Sequence, residues 1–133
     1  MMTNTKAAAM VSTDAILEGR GDAAEAIALT VRATLDECVA DLCSRLQAEH
    51  ARVWPTLSRP TMRTARGRRF IKIIFGGSVW GWVEISNGLV WKTATRNAPA
   101  LNYPRGCVFD VDSRRDMGAS IYGVTKFGPY HAL

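Results

Sequence analysis

Residues 68–94, RRFIKIIFGGSVWGWVEISNGLVWKTA, set two glycine turns, Gly76-Gly77-Ser78 and Asn87-Gly88, between runs rich in β-branched and aromatic residues. Turns of residues that tolerate positive φ close antiparallel hairpins. The stretch therefore predicts three short strands in a meander. Side chains alternate across a strand, which places Ile71, Ile73 and Phe75 with Val79, Val83 and Ile85 on one apolar face, the expected core face. The opposite face then presents Lys72, Trp80, Trp82 and Glu84, with Lys92 or Trp91 beside them. Two indoles beside lysines on an open sheet suggest base stacking of the kind single-strand-binding sheets use. The competing expectation is that the C-terminal segment or a second subunit buries both rings, because Trp is highly buried on average.

Ahead of the meander lies a helix. Asp22-Ala-Ala-Glu25 matches a capping box, after a break at Gly19-Arg20-Gly21. Apolar residues Ile27, Val31, Leu35, Cys38, Val39, Leu42, Leu46 and Val53 follow a helical stripe. Pro55 stops the helix at or before Trp54. The spacing predicts a helix over about residues 23–53, roughly 45 Å long at 1.5 Å per residue. That is longer than a small meander, so the surplus stripe predicts a homo-oligomer formed through the helix. Residues 1–21 read as a flexible arm, with a short helix over 12–18 and an apolar patch too weak for a secretory signal.

Charge divides the chain. Residues 1–58 are net −3 and residues 59–133 net +8, which together make the formal +5. The linker 55–69 carries Arg59, Arg63, Arg66, Arg68 and Arg69, and its prolines and glycine discourage regular structure. Guanidinium forks match phosphate geometry, so nucleic acid is the expected partner. The alternative is that these arginines pair with the acidic helix face, in surface pairs worth about 0–1 kcal/mol each.

Beyond the meander, Pro99 and Pro104 predict an ordered loop, and Cys107-Val108-Phe109 a short fourth strand or strap. Asp110-x-Asp112 reads as a turn or cap rather than a metal site. An edge strand is expected around Ser120–Val124, and the tail is placed to cover the tryptophan face. The whole predicts one α+β domain over residues 22–133: a long N-terminal helix packed on a small antiparallel meander of three to four strands. At 47% hydrophobic and 22% charged the composition is globular. Cys38, Cys43 and Cys107 are scattered and odd in number, which favours reduced thiols. No apolar run reaches membrane-span length.

Asn87-Gly88, Trp91-Lys92-x-Ala94, Ala98-Pro99-Ala100, Arg105-Gly106 and Phe109-Asp110 form a spaced pattern. It resembles a motif of small, largely uncharacterised tailed-phage proteins. Trp91 stands where that family tends to have Tyr, and Arg96-Asn97 where it tends to have Trp-Lys. The resemblance covers about a fifth of the chain. It implies a phage origin, a small meander with a proline-anchored loop, and Lys92 and Arg105 as ligand contacts. It implies no defined activity.

His50 and His131 have no orienting acid or nucleophile that the sequence places beside them, and no phosphate-loop, dinucleotide or metal-spacing motif occurs. The expected function is thus non-enzymatic and needs no cofactor. It is a sequence-tolerant nucleic-acid-binding accessory protein of the host cytoplasm, favouring single strands. Its expected contacts are Arg59, Arg63, Arg66, Arg68, Arg69, Lys72, Trp80, Trp82, Lys92 and Arg105. The alternative is a homo-oligomeric virion component or an inhibitor of a host protein.

Overall fold

The computed structural model describes residues 20–124 and 128–131, with side chains in the first helix described for residues 25–27 and from 34 onward. The expected arm, the short helix over 12–18, and Phe127 lie outside the described residues. The chain forms two compact units, Met1–Glu37 and Cys38–Leu133. Of the first unit, the helical backbone from Arg20 is described. Ile27, assigned to the apolar stripe, is 45% exposed there.

Helix α1 spans Arg20–Val53, 34 residues. It already includes Gly21, so the expected break there does not occur. A glycine costs a helix only about 1 kcal/mol relative to alanine. The helix stops one residue before Trp54, as the following proline requires, and Trp54 N donates to His50 O at 2.8 Å to close the last turn. Within the second unit Val39, Leu42, Cys43 and Leu46 form its buried stripe. Burial pushes the Cys43 thiol up to about 11, so it stays protonated and inert at neutral pH.

The strands are β1 (Met62–Arg66), β2 (Phe70–Phe75), β3 (Ser78–Glu84), β4 (Leu89–Trp91), β5 (Thr93–Thr95), β6 (Ala98–Pro99) and β7 (Gly106–Cys107). They are followed by helix α2, Val111–Gly118. Five strands make an antiparallel sheet in the order β1-β2-β3-β4-β7, and β5 pairs with β6 separately. The α+β architecture matches the sequence-based expectation. His50 meets Phe75 edge-on at 6.0 Å, where the end of α1 reaches the sheet. Leu42, Leu46, Ile73, Val83, Val90, Val108, Met117 and Val124 are all less than 2% exposed and form the core. Each contributes about 1.5–3 kcal/mol of apolar burial. Helix α2 packs on α1 through Arg114, whose guanidinium bridges Asp41, Cys38 Sγ and Val108 O. Arg45 beside Asp41, helped by Arg114, holds that carboxyl below its usual range.

Gly76 and Gly77 have φ of 63° and 84°, as a two-residue hairpin turn between Phe75 and Ser78 demands. At the next turn only Gly88 is left-handed, at φ 74°. Asn87 contributes through its side chain, whose Oδ1 accepts from Leu89 N at 2.9 Å.

Four expectations need correction. The basic linker is not irregular: its second half is strand β1, paired with β2 from Met62↔Phe75 to Arg66↔Ile71. The hydrogen-bonding groups of β2 impose extended structure on a segment with little propensity of its own. The third strand does not run to Ala94, because it breaks at Lys92 and the chain leaves the sheet to form β5–β6. The stretch around Ser120–Val124 is a turn, not an edge strand, and Ser120 Oγ donates to Gly123 O at 2.7 Å within it. Finally, the register slips between Ile73 and Ile74, where β2 pairs Ile73↔Gly81 and then Ile74↔Val79. Trp80 is the extra residue of this bulge, and strict alternation fails there.

Candidate nucleic-acid interface

The bulge decides the fate of the two tryptophans. Trp82 pairs with Lys72 and with Trp91, so these three share one sheet face with Phe70 and Glu84. Trp80 leaves that face. Its Nε1 donates to Ser120 O at 2.6 Å, while a Cβ on the neighbouring Gly81 would lie 3.3 Å from Val124. Adjacent residues thus meet the same C-terminal segment, which regular alternation forbids. Trp80 is 3% exposed and Trp82 7%.

Trp82 is closed off by other means. The Lys72 ammonium lies 5.0 Å from its ring centroid, Phe70 meets it edge-on at 6.2 Å, and its Nε1 donates to Thr93 Oγ1 at 3.1 Å. The base-stacking platform expected of Trp80 and Trp82 is therefore corrected: one ring is turned away and the other is roofed. An indole with its N–H satisfied and its ring covered offers no face to a base.

The cations are placed differently. Arg68 and Arg69 form the two-residue loop between β1 and β2, and Gly67 N donates to Phe70 O at 2.8 Å to close it. Arg63 and Arg66 sit on β1, and all four arginines are exposed. Lys72 lies beside them on β2 and is half-buried. Between residues 54 and 109 the chain has nine Lys/Arg and one acidic residue, Glu84. Glu84 is 8% exposed. It accepts from Trp91 Nε1 at 3.1 Å and from Arg69 Nε at 3.3 Å, so its charge is committed internally. Of the acids of α1, Asp41 pairs with Arg45 and Arg114, and Glu49 with Arg52.

A shallow depression of about 310 Å³ lies at this hairpin end, lined by Arg66, Arg68, Arg69, Lys72, Trp82 and Asn97 among others. Asn97 belongs to the turn of the β5–β6 hairpin, and the neighbouring Arg96 donates to Gly77 O at 3.1 Å. Sequence reasoning did not place Asn97 at the site. Nothing local tells where a short hairpin folds back.

Three expected contacts lie apart from this group. Arg59 folds onto the turn after α1, with Nη1 donating to Trp54 O at 3.3 Å and Leu57 O at 3.0 Å. Lys92 is half-buried at the break between β4 and β5. Arg105 is 6% exposed, with its guanidinium 4.1 Å over the Tyr103 ring, so it is not one of the exposed arginines of this group. Arg105 instead lines a second depression with Asp110, Asp112 and Asp116. Asp110 caps α2, accepting from Asp112 N and Ser113 N. Its Oδ2 accepts from the Tyr130 hydroxyl at 2.7 Å. That bond, with the Ser113 amide, holds the carboxyl below its usual range and pushes the Tyr130 phenol up to about 12. No group of three or more metal-ligating side chains occurs among the described residues, and none of their helices is long and apolar enough to cross a membrane.

Comparison with protein-family models, with curated proteins and with solved structures returned no match.

Proposed function

We propose that this chain is a phage-encoded, non-enzymatic accessory protein of the host cytoplasm that binds nucleic acid through its phosphate backbone. The observation that carries the reading is the exposure of Arg63, Arg66, Arg68 and Arg69 around one hairpin end, where Glu84 accepts from both Trp91 and Arg69. Guanidinium forks held this way suit phosphates in a row. With Trp80 and Trp82 sealed, bases are not read or stacked, so binding is sequence-tolerant. The aromatic argument for single strands falls away, and duplex and single strand become direct competitors.

Titration with single- and double-stranded oligonucleotides at several salt concentrations tests this. The logarithm of the affinity should fall with the logarithm of salt by about 0.7 per neutralised phosphate on single strands and about 0.9 on duplex. Reversing Arg68 and Arg69 to Glu should flatten that slope. No detectable binding to either form at about 50 mM salt overturns the proposal.

A second reading, a homo-oligomeric virion component or an inhibitor of a host protein, has its own support. Val53, Trp54, Leu57 and Tyr122 are 38%, 42%, 53% and 69% exposed. Trp54 Nε1 bonds the Tyr122 hydroxyl at 3.1 Å, so two of these apolar groups sit side by side. Sedimentation as a monomer, together with absence from purified particles, removes this alternative.

A further inference from the structure

Strand β1 forms one edge of the five-stranded sheet. Closing bonds fix which backbone groups point outward. Gly67 N donates to Phe70 O, and Gly76 N donates to Thr61 O, both at 2.8 Å. In an antiparallel ladder the bonded residues then recur every second position. Thr61, Arg63, Ala65 and Gly67 therefore turn their backbone toward β2, and Met62 and Thr64 turn theirs away from the sheet. Among the described residues the sheet order gives β1 one neighbour. From Arg63 to Arg66 the strand is exposed. No register shift interrupts its pairing, and Pro60 stands before it rather than in it.

Such an edge templates another strand unless something blocks it, and charge is the block present here. Pairing with a second copy would bring Arg63, Arg66, Arg68 and Arg69 of two chains together. An extended acidic segment meets the opposite situation. It would satisfy the outward groups of Met62 and Thr64 while its carboxylates face the arginines. We propose that the β1 edge takes an acidic, extended peptide of a partner protein as a sixth strand. Opposite Arg63 the added pair is of the non-hydrogen-bonded kind, with α-carbons about 4.5 Å apart, so a carboxylate at that position contributes most. This inference does not depend on nucleic-acid binding.

The probe is a fluorescein-labelled ten-residue Thr/Val peptide carrying glutamates three positions apart, with a lysine version as control. Two further versions carry N-methyl groups on alternate amides, one set on the amides facing β1 and the other on the amides facing solvent. Fluorescence anisotropy should show binding of the acidic peptide and of one methylated version. The other methylated version and the lysine peptide should bind at least tenfold more weakly. Arg63→Glu should weaken the acidic peptide about tenfold, and bound peptide should slow hydrogen exchange at the Thr64 amide. An oligonucleotide occupying the arginines would not protect that amide, which keeps the two readings apart. Equal binding of both methylated peptides, or no binding of the acidic one, overturns the proposal.

Discussion

The sheet ends in two ways. At β7 the edge is two residues long and buried. Cys107 N donates to Ser113 Oγ at 3.0 Å, and Val108 N donates to Gly88 O at 2.9 Å. Helix α2 lies so close that a Cβ on Gly106 would run into Met117 and Ser113. At β1 the edge is five residues long, exposed and lined with arginine. The closed edge uses its backbone groups within the fold, and the open edge leaves its own, with its charge, exposed.

Measurements on both edges test that contrast. Met117 is 1% exposed under the closed edge, so Met117→Ala should cost about 2–5 kcal/mol in urea unfolding. A loss under about 1 kcal/mol would mean that α2 does not hold β7. Next comes Trp80, tied to the same C-terminal segment. Trp80→Phe keeps an aromatic ring but strands the Ser120 carbonyl, and should cost about 1–3 kcal/mol. Neither indole fluorescence band nor intensity from Trp80 or Trp82 should change when an oligonucleotide binds. Quenching at either would reopen the stacking idea.

The third effect is acid-dependent. Asp110 has a folded value held below 3.8. More protons are then bound by the unfolded chain, so the stabilisation is fully present above 3.8 and is lost as pH falls through the lower folded value. Hydrogen exchange in α2 should quicken there, and Asp110→Asn should remove the transition. The smallest change belongs to the open edge. Arg63→Ser should leave stability within about 0.5 kcal/mol, as surface substitutions do, while weakening anionic ligands. A large destabilisation would show that β1 serves the fold after all.

Much of this was legible in the chain. Pro55 marked the end of α1, Gly76-Gly77 marked a hairpin turn, and residues 59–133 carried the positive charge. Strand β1 was not legible, because Arg-Thr-Ala-Arg has neither an apolar face nor strong strand propensity. Asp110 was legible as a cap, but the eight-residue helix behind it was not: Met117 is its one large buried side chain. Glu84 looked like a surface charge and proved to be a buried acceptor for Trp91 and Arg69.

The residues alone determined where the chain must turn, where α1 must stop and which half is cationic, since proline, glycine and charge act over a few positions. Tertiary structure decided which way Trp80 faces and which edge stays open. One slipped pair at Ile73/Ile74 reverses the side on which an indole emerges. A helix far along the chain covers one rim of the sheet, and among the described residues the other rim has no strand beside it. Both outcomes depend on contacts between segments, and a strand's own pattern cannot encode its neighbours.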